Sequence, residues 1–204
     1  TSITTFTRLV ELDNTHLDQE SRQYLDIIRK KTKEIQEQLS TINEFTQIDS
    51  APPAFEPLDL CLLLRDFYSS NKPDIDVNGI SFELLLKDSQ PVMVYGDRRK
   101  LVSVLQNLVF NAVSFTPEGG KIRLCLDKEQ EFAALRVEDN GSGISEEDIP
   151  HIFDRFFTHR SHDNGSGVGL FIVKSIVTEH GGNIEVASTP GKGTVFTIRL
   201  PLIH

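Results

Sequence analysis

The chain has 204 residues, 38% of them hydrophobic and 25% charged, enough for an ordinary globular domain with a smaller segment appended. Its formal net charge is −9 and no long Lys/Arg run offsets it. That excludes the basic face with which a nucleic-acid binder displaces counterions. Apolar runs such as Leu62 to Leu64 fall far short of the roughly 20 residues of a membrane helix, and no charged-then-apolar leader opens the chain. Direct membrane contact is therefore not expected. Cys61 and Cys125 stand apart in apolar surroundings, as two reduced core thiols of a cytosolic protein would.

From Thr1 to Ser50 the sequence reads as helix. Ile3, Phe6, Leu9 and Val10 suggest a short first helix, with Asp13-Asn14-Thr15 as the break. Beyond it Tyr24, Ile27, Ile28, Ile35, Leu39, Ile42 and Phe45 recur at steps of three and four between charged residues. Such a narrow seam on a polar helix needs a partner, so the expectation is a helical hairpin that dimerises into a four-helix bundle. The alternative is a hairpin packed on the rest of its own chain. Ala51-Pro52-Pro53 stops the helix and opens a linker.

Past the linker the texture is mixed. Leu58 to Tyr68 predicts a helix, and Ile80 to Leu86 and Val92 to Tyr95 predict strands. Gly96-Asp97 caps a strong helix from Arg98 to Phe115, with Leu101, Val104, Leu105, Leu108 and Ala112 as its core stripe. Lys121 to Leu126 and Phe132 to Glu138 predict strands around a polar turn. Ser145 to Asp148 reads as a capping box opening a short helix. Leu170 to His180 predicts an amphipathic helix ended by Gly181-Gly182, with His180 helping to satisfy terminal carbonyls. Asn183 to Ser188 and Thr194 to Leu200 predict a closing hairpin. The fold class is α+β: an N-terminal helical hairpin, then a two-layer α/β sandwich with helices on one face of a mixed sheet. The expected boundaries are 1–50 for the hairpin, 51–56 for the linker and 57–204 for the second domain.

Three segments of that second domain could carry chemistry. Asn107, Asn111 and Ser114 fall on one stripe beside the apolar face of their helix. Their oxygens suit a hard cation such as Mg²⁺, but on the helix alone an ordinary polar boundary is the favoured reading. Asp139 continues the buried face of a strand set by Leu135 and Val137, then runs into Asn140-Gly141-Ser142-Gly143. A carboxylate there needs a donor, and the exocyclic amine of adenine is one, with glycines admitting a flat base; a plain hairpin turn is the other reading. Asn164 to Leu170, rich in glycine, leads straight into a helix whose free N–H groups would cradle phosphate. It is neither a dinucleotide fingerprint nor a P-loop, since Leu170 stands where a third Gly would and Lys192 is followed by Gly193. Between the last two segments, Ile152 to Phe157 should dock aromatics on the sheet, with Thr158 to Asn164 as a lid. His151, His159 and His162 lack the companions of a familiar metal site.

In this order the pieces resemble the GHKL-type ATP-binding domain of sensor histidine kinases over about Pro57 to Pro201. Asn107 to Thr116 resembles the N box, Val137 to Ile144 the G1 motif, and Ile152 to Phe157 the F box. Gly165 to Leu170 resembles G2, and Gly191 to Thr194 the last Gly motif. The first fifty residues resemble part of the dimerisation and histidine-phosphotransfer hairpin, with Leu17 to Thr32 typical of its second helix.

The resemblance implies a homodimer, ATP and Mg²⁺ as ligands, and a response-regulator receiver domain as partner. It implies Asn111 as the main Mg²⁺ ligand with Asn107 supporting it, Asp139 reading adenine, and Gly141 and Gly143 shaping the base pocket. Ser114 falls in the same nucleotide site, and Gly165, Gly167, Gly169 and Leu170 would meet the phosphates. Arg155 would touch a phosphate or the other domain, and Thr194 would approach Asp139 through its hydroxyl. ATP-hydrolysing members of this fold carry a Glu general base where this chain has Asn107, and an amide cannot act as a base at neutral pH. The implied reaction is therefore phosphoryl transfer to an external acceptor. The runner-up is a nucleotide-responsive dimerisation module without kinase activity.

Departures are specific. Ser114 stands where the family often has a cation, and Thr158 where the F box often ends in one, with His159 and Arg160 beyond. The family's acceptor motif, a His followed by an acidic residue, is absent, and His16 in the polar break is a poor substitute. The expectation is a soluble core that binds ATP without phosphorylating itself, cut from a parent anchored in a bacterial inner or plasma membrane.

Overall fold

A computed structural model describes residues 25, 27, 28, 54–87, 90–158 and 167–203. The chain divides into two compact units. Of the first, Leu25, Ile27 and Ile28 are described and are helical. The expected hairpin, its dimer, His16, the linker at Ala51 to Pro53 and the lid beyond Thr158 lie outside the described residues.

The second unit opens with β1 (Glu56–Asp59), which runs into α1 (Leu60–Val77). Asp59 ends the strand and caps the helix, its Oδ1 accepting from Cys61 N at 2.8 Å. The predicted helix began at Leu58 and stopped at Tyr68; the real one starts two residues later and continues past Pro73. Its buried stripe explains the length, because Leu63, Leu64, Phe67 and Ile75 all reach the core. Packing outweighs the local cost of a mid-helix proline.

Next come β2 (Ser81–Leu86), β3 (Met93–Gly96) and α2 (Arg98–Phe115). Asp97 caps α2 as expected, accepting from Arg99 N at 2.9 Å. Burial alone would raise its carboxyl, but the Arg99 guanidinium and the N–H groups of Ala54, Arg99 and Lys100 outweigh that and hold it at about 2. The remaining elements are β4 (Lys121–Glu129), β5 (Phe132–Asp139), α3 (Gly169–Glu179), β6 (Asn183–Thr189) and β7 (Gly193–Pro201). The capping box at Ser145 forms its bond, Asp148 N donating to Ser145 Oγ at 3.2 Å, but turns follow rather than a helix. Pro150 lacks the N–H that a second helical turn would need.

Five strands form one mixed sheet in the order β2-β4-β5-β7-β6, parallel only between β2 and β4. β1 and β3 form a separate antiparallel ribbon. One sheet face buries Phe82, Ile122, Leu124, Val137, Phe196 and Ile198 beneath the helices. Each fully buried Leu or Phe contributes about 1.5–3 kcal/mol. The other face carries ion pairs, with Arg123 between Glu83 and Glu138, and Arg136 beside Asp127.

Helices α2 and α3 run antiparallel. At one end the buried Lys100 places Nζ 2.7 Å from both Glu179 oxygens. Beside it, buried His180 accepts from Asp97 N at 3.0 Å through Nε2 and donates to Ile176 O at 2.8 Å through Nδ1. Burial pushes the His180 pKa down, so the ring is neutral and this tautomer satisfies both bonds. No helix among the described residues is long and apolar enough to cross a membrane.

Candidate functional site

Asn107 and Asn111 stand one turn apart on α2, both half-buried. Asn107 donates from Nδ2 to Ser103 O at 2.9 Å, which fixes the amide and leaves Oδ1 directed elsewhere. That oxygen lies 2.6 Å from where a Cβ would stand on Gly169, the first residue of α3. A glycine there leaves the Asn107 amide room that a side chain would take. The Asn111 amide has no hydrogen-bond partner among the described residues. Two amide oxygens at this boundary, one oriented and one without a partner, fit a hard cation that keeps waters and phosphate oxygens as its other ligands. Ser114 is different: it is exposed, and its Oγ turns back to Phe110 O at 2.9 Å.

Asp139 ends β5 half-buried. Its Oδ1 accepts from Gly141 N at 2.8 Å and Thr194 N at 3.3 Å, while Oδ2 has no partner among the described residues. Burial raises the carboxyl pKa, and the two backbone donors only partly offset that. The turn beyond it is pressed tightly against its neighbours. A Cβ on Gly141 would lie 2.3 Å from Phe115 O, and one on Gly143 would lie 2.2 Å from Thr189 O. Gly143 also has φ +70°, which L side chains seldom adopt. A carboxylate oxygen with no donor among the described residues fits a base with an exocyclic amine.

Thr194 meets Asp139 differently from the expectation. The register pairs the two across β5 and β7, and the contact is the Thr194 N–H. Its hydroxyl instead pairs with Ser188 Oγ at 2.9 Å. Ser188 was missed in the sequence, as were the Phe115 carbonyl and Ile144, whose N–H donates to Ser188 Oγ at 2.8 Å. Reading the hairpin register from its turn would have set Ser188 opposite Thr194.

Gly165 lies outside the described residues. Gly167 has φ +65° and its carbonyl accepts from Phe156 N at 2.8 Å, closing the chain on itself at this point. Gly169 and Leu170 then open α3, whose N-terminus has no side-chain cap. That leaves the helix start suited to an anion. Arg155 does not join Asp139 or the asparagines. Its guanidinium stacks 4.8 Å over the Phe171 ring, in a groove of ≈ 430 Å³ lined also by Phe153, Asp154, Lys174 and Thr178.

Residues 96–204 match the family described as histidine kinase-, DNA gyrase B-, and HSP90-like ATPase. Sporulation kinase D of Bacillus subtilis is 32% identical over 206 residues, covering 99% of this chain and 39% of that protein. The chain thus spans well under half the length of the curated relatives it matches. Among solved structures, the mycobacterial sensor histidine kinase MprB shares 32% identity with a TM-score of 0.62, over 73% of this chain and 98% of that one. Histidine kinase ThkA, solved in complex with the response regulator TrrA, matches 98% of this chain and 57% of its own at 26% identity and a TM-score of 0.73.

Proposed function

The chain belongs to the family of histidine kinase-, DNA gyrase B- and HSP90-like ATPases, and within it we propose the core of a two-component protein-histidine kinase. The reaction moves the γ-phosphoryl group of ATP to a histidine outside this chain's own motifs, for relay to a response-regulator aspartate. The observation that carries this reading is Asp139: one oxygen is held by backbone N–H groups and the other, beside a glycine turn, has no donor among the described residues. An adenine amine supplies that donor.

In this reading Asp139, Gly141 and Gly143 take the base, and the start of α3 at Gly167, Gly169 and Leu170 takes phosphate. Asn111 holds Mg²⁺ with Asn107 beside it. Mg²⁺ held there would neutralise phosphate charge. Asn107 cannot take a proton from water, and its Nδ2 is already committed to Ser103 O, so the site favours an external acceptor over hydrolysis. Residues 1–50 serve as the dimerisation hairpin and 57–204 as the catalytic domain. The partners are a second copy and a receiver domain, and the parent is membrane-anchored.

A second reading, a nucleotide-responsive module without kinase activity, is favoured by Ser114, whose hydroxyl is spent on Phe110 O and brings no cation. The two separate on one assay. An acceptor hairpin carrying its histidine is supplied in trans with labelled Mg-ATP, and acid-labile, base-stable label is sought. Label establishes the kinase. Nucleotide binding without label establishes the module.

A further inference from the structure

Ser188 of β6 faces Thr194 of β7 across the closing hairpin. Its Oγ touches three polar groups: Ile144 N at 2.8 Å, Gly193 O at 2.9 Å and Thr194 Oγ1 at 2.9 Å. A serine hydroxyl has one hydrogen and two acceptor lone pairs. One allocation serves all three contacts. Ile144 N–H and Thr194 O–H donate to Ser188 Oγ, and Ser188 O–H donates to Gly193 O. Were Ser188 to donate to Thr194 instead, the Gly193 contact would have no hydrogen.

The allocation fixes the polarity of Thr194. Its only hydroxyl hydrogen is directed at Ser188, so toward any other neighbour its oxygen can only accept. Thr194 is buried, 5% exposed, and its own N–H holds Asp139 Oδ1. Two acceptors, Asp139 Oδ2 and Thr194 Oγ1, thus belong to one linked unit, and Ile144 ties the glycine turn to the same hydroxyl.

We propose that Ser188 is a positioning residue for nucleobase specificity, holding Thr194 as an acceptor so that a 6-aminopurine is taken and a 6-oxopurine refused. This rests on the base site described under the proposed function. A 6-oxo group would set lone pairs against lone pairs, a mismatch that a freely rotating threonine hydroxyl could relieve by turning its hydrogen outward. Ser188 removes that freedom.

The test titrates the full chain with ATP and with inosine triphosphate, which carries oxygen for the amine and a hydrogen on N1. The wild type should prefer ATP. Ser188→Ala should reduce that preference by roughly fivefold, the scale of one hydrogen bond. Ser188→Thr, which keeps the hydroxyl, should restore it. In a Thr194→Val background the Ser188→Ala change should leave the preference unaltered, which a merely structural role would not do. If Ser188→Ala does not fold, Ser188→Cys carries the same comparison. An unchanged preference in the Ser188 variants, beside a wild type that does discriminate, overturns the role of Ser188 alone. A wild type that takes both nucleotides equally overturns the base site and this proposal together.

Discussion

Replacing Asp139 by Asn keeps the side chain's shape and removes its charge. If the amide oxygen takes the place of Oδ1, it keeps the N–H groups of Gly141 and Thr194, at 2.8 and 3.3 Å in the native protein. The amide NH₂ then occupies the position of Oδ2 and meets an adenine amine donor to donor. A hydrogen bond to a charged group is worth about 1.5–3 kcal/mol, so ATP affinity should fall about 10- to 150-fold. Stability should move the other way. Burial raises the Asp139 pKa, so the folded state holds its proton more tightly than the unfolded chain. The carboxyl therefore detracts from stability once pH rises above its ordinary value of 3.8, and at neutral pH an uncharged residue relieves that cost. Titration calorimetry with Mg-ATP, paired with a thermal melt, reads both quantities. Undiminished affinity would refute the base assignment; weaker binding together with a lower melting midpoint would make Asp139 a structural residue instead.

Gly169→Ala would put a methyl group 2.6 Å from Asn107 Oδ1. The asparagine should turn aside, so that Mg²⁺-dependent nucleotide binding weakens several-fold while the circular dichroism spectrum is unchanged. Asn111→Ala should abolish phosphoryl transfer to a supplied acceptor with the melting midpoint preserved, read as label and as a thermal scan. His180 has a depressed pKa through burial, so its contribution to stability is present above its ordinary value of 6.5 and is lost as pH falls through the window below it. His180→Gln should flatten the dependence of the melting midpoint on pH below the ordinary value of 6.5, at the cost of a lower midpoint at neutral pH.

Local chemistry made much of this readable in advance. The bounds of α2 follow from Asp97 as a cap and a core stripe at helical spacing, both of which act within a few residues. Asp139 was legible because strand alternation alone sets it on the buried face. The unread parts depend on distant partners. Asp127 looked like part of a polar turn, yet it belongs to β4 and is buried against Arg136 and Lys87. The sequence pairs His180 with helix-terminal carbonyls, and Nδ1 does meet Ile176 O. Its bond to Asp97 N spans 83 positions and has no local signature. The hydroxyl pair of Ser188 and Thr194 likewise depends on hairpin register.

Among the described residues, the hydrogen bonds that tie the antiparallel helices α2 and α3 together gather at one end. Lys100–Glu179 and Asp97–His180 hold the far tips, whereas near Asn107 the neighbour is a bare glycine. The pair is thus a set of tongs with its pivot away from the jaws. With 11 residues in α3 at 1.5 Å each, the arm is about 16.5 Å long. A rotation of about 5° about the Lys100–Glu179 end would move Gly169, at the start of α3, by roughly 1.4 Å relative to Asn107 on α2.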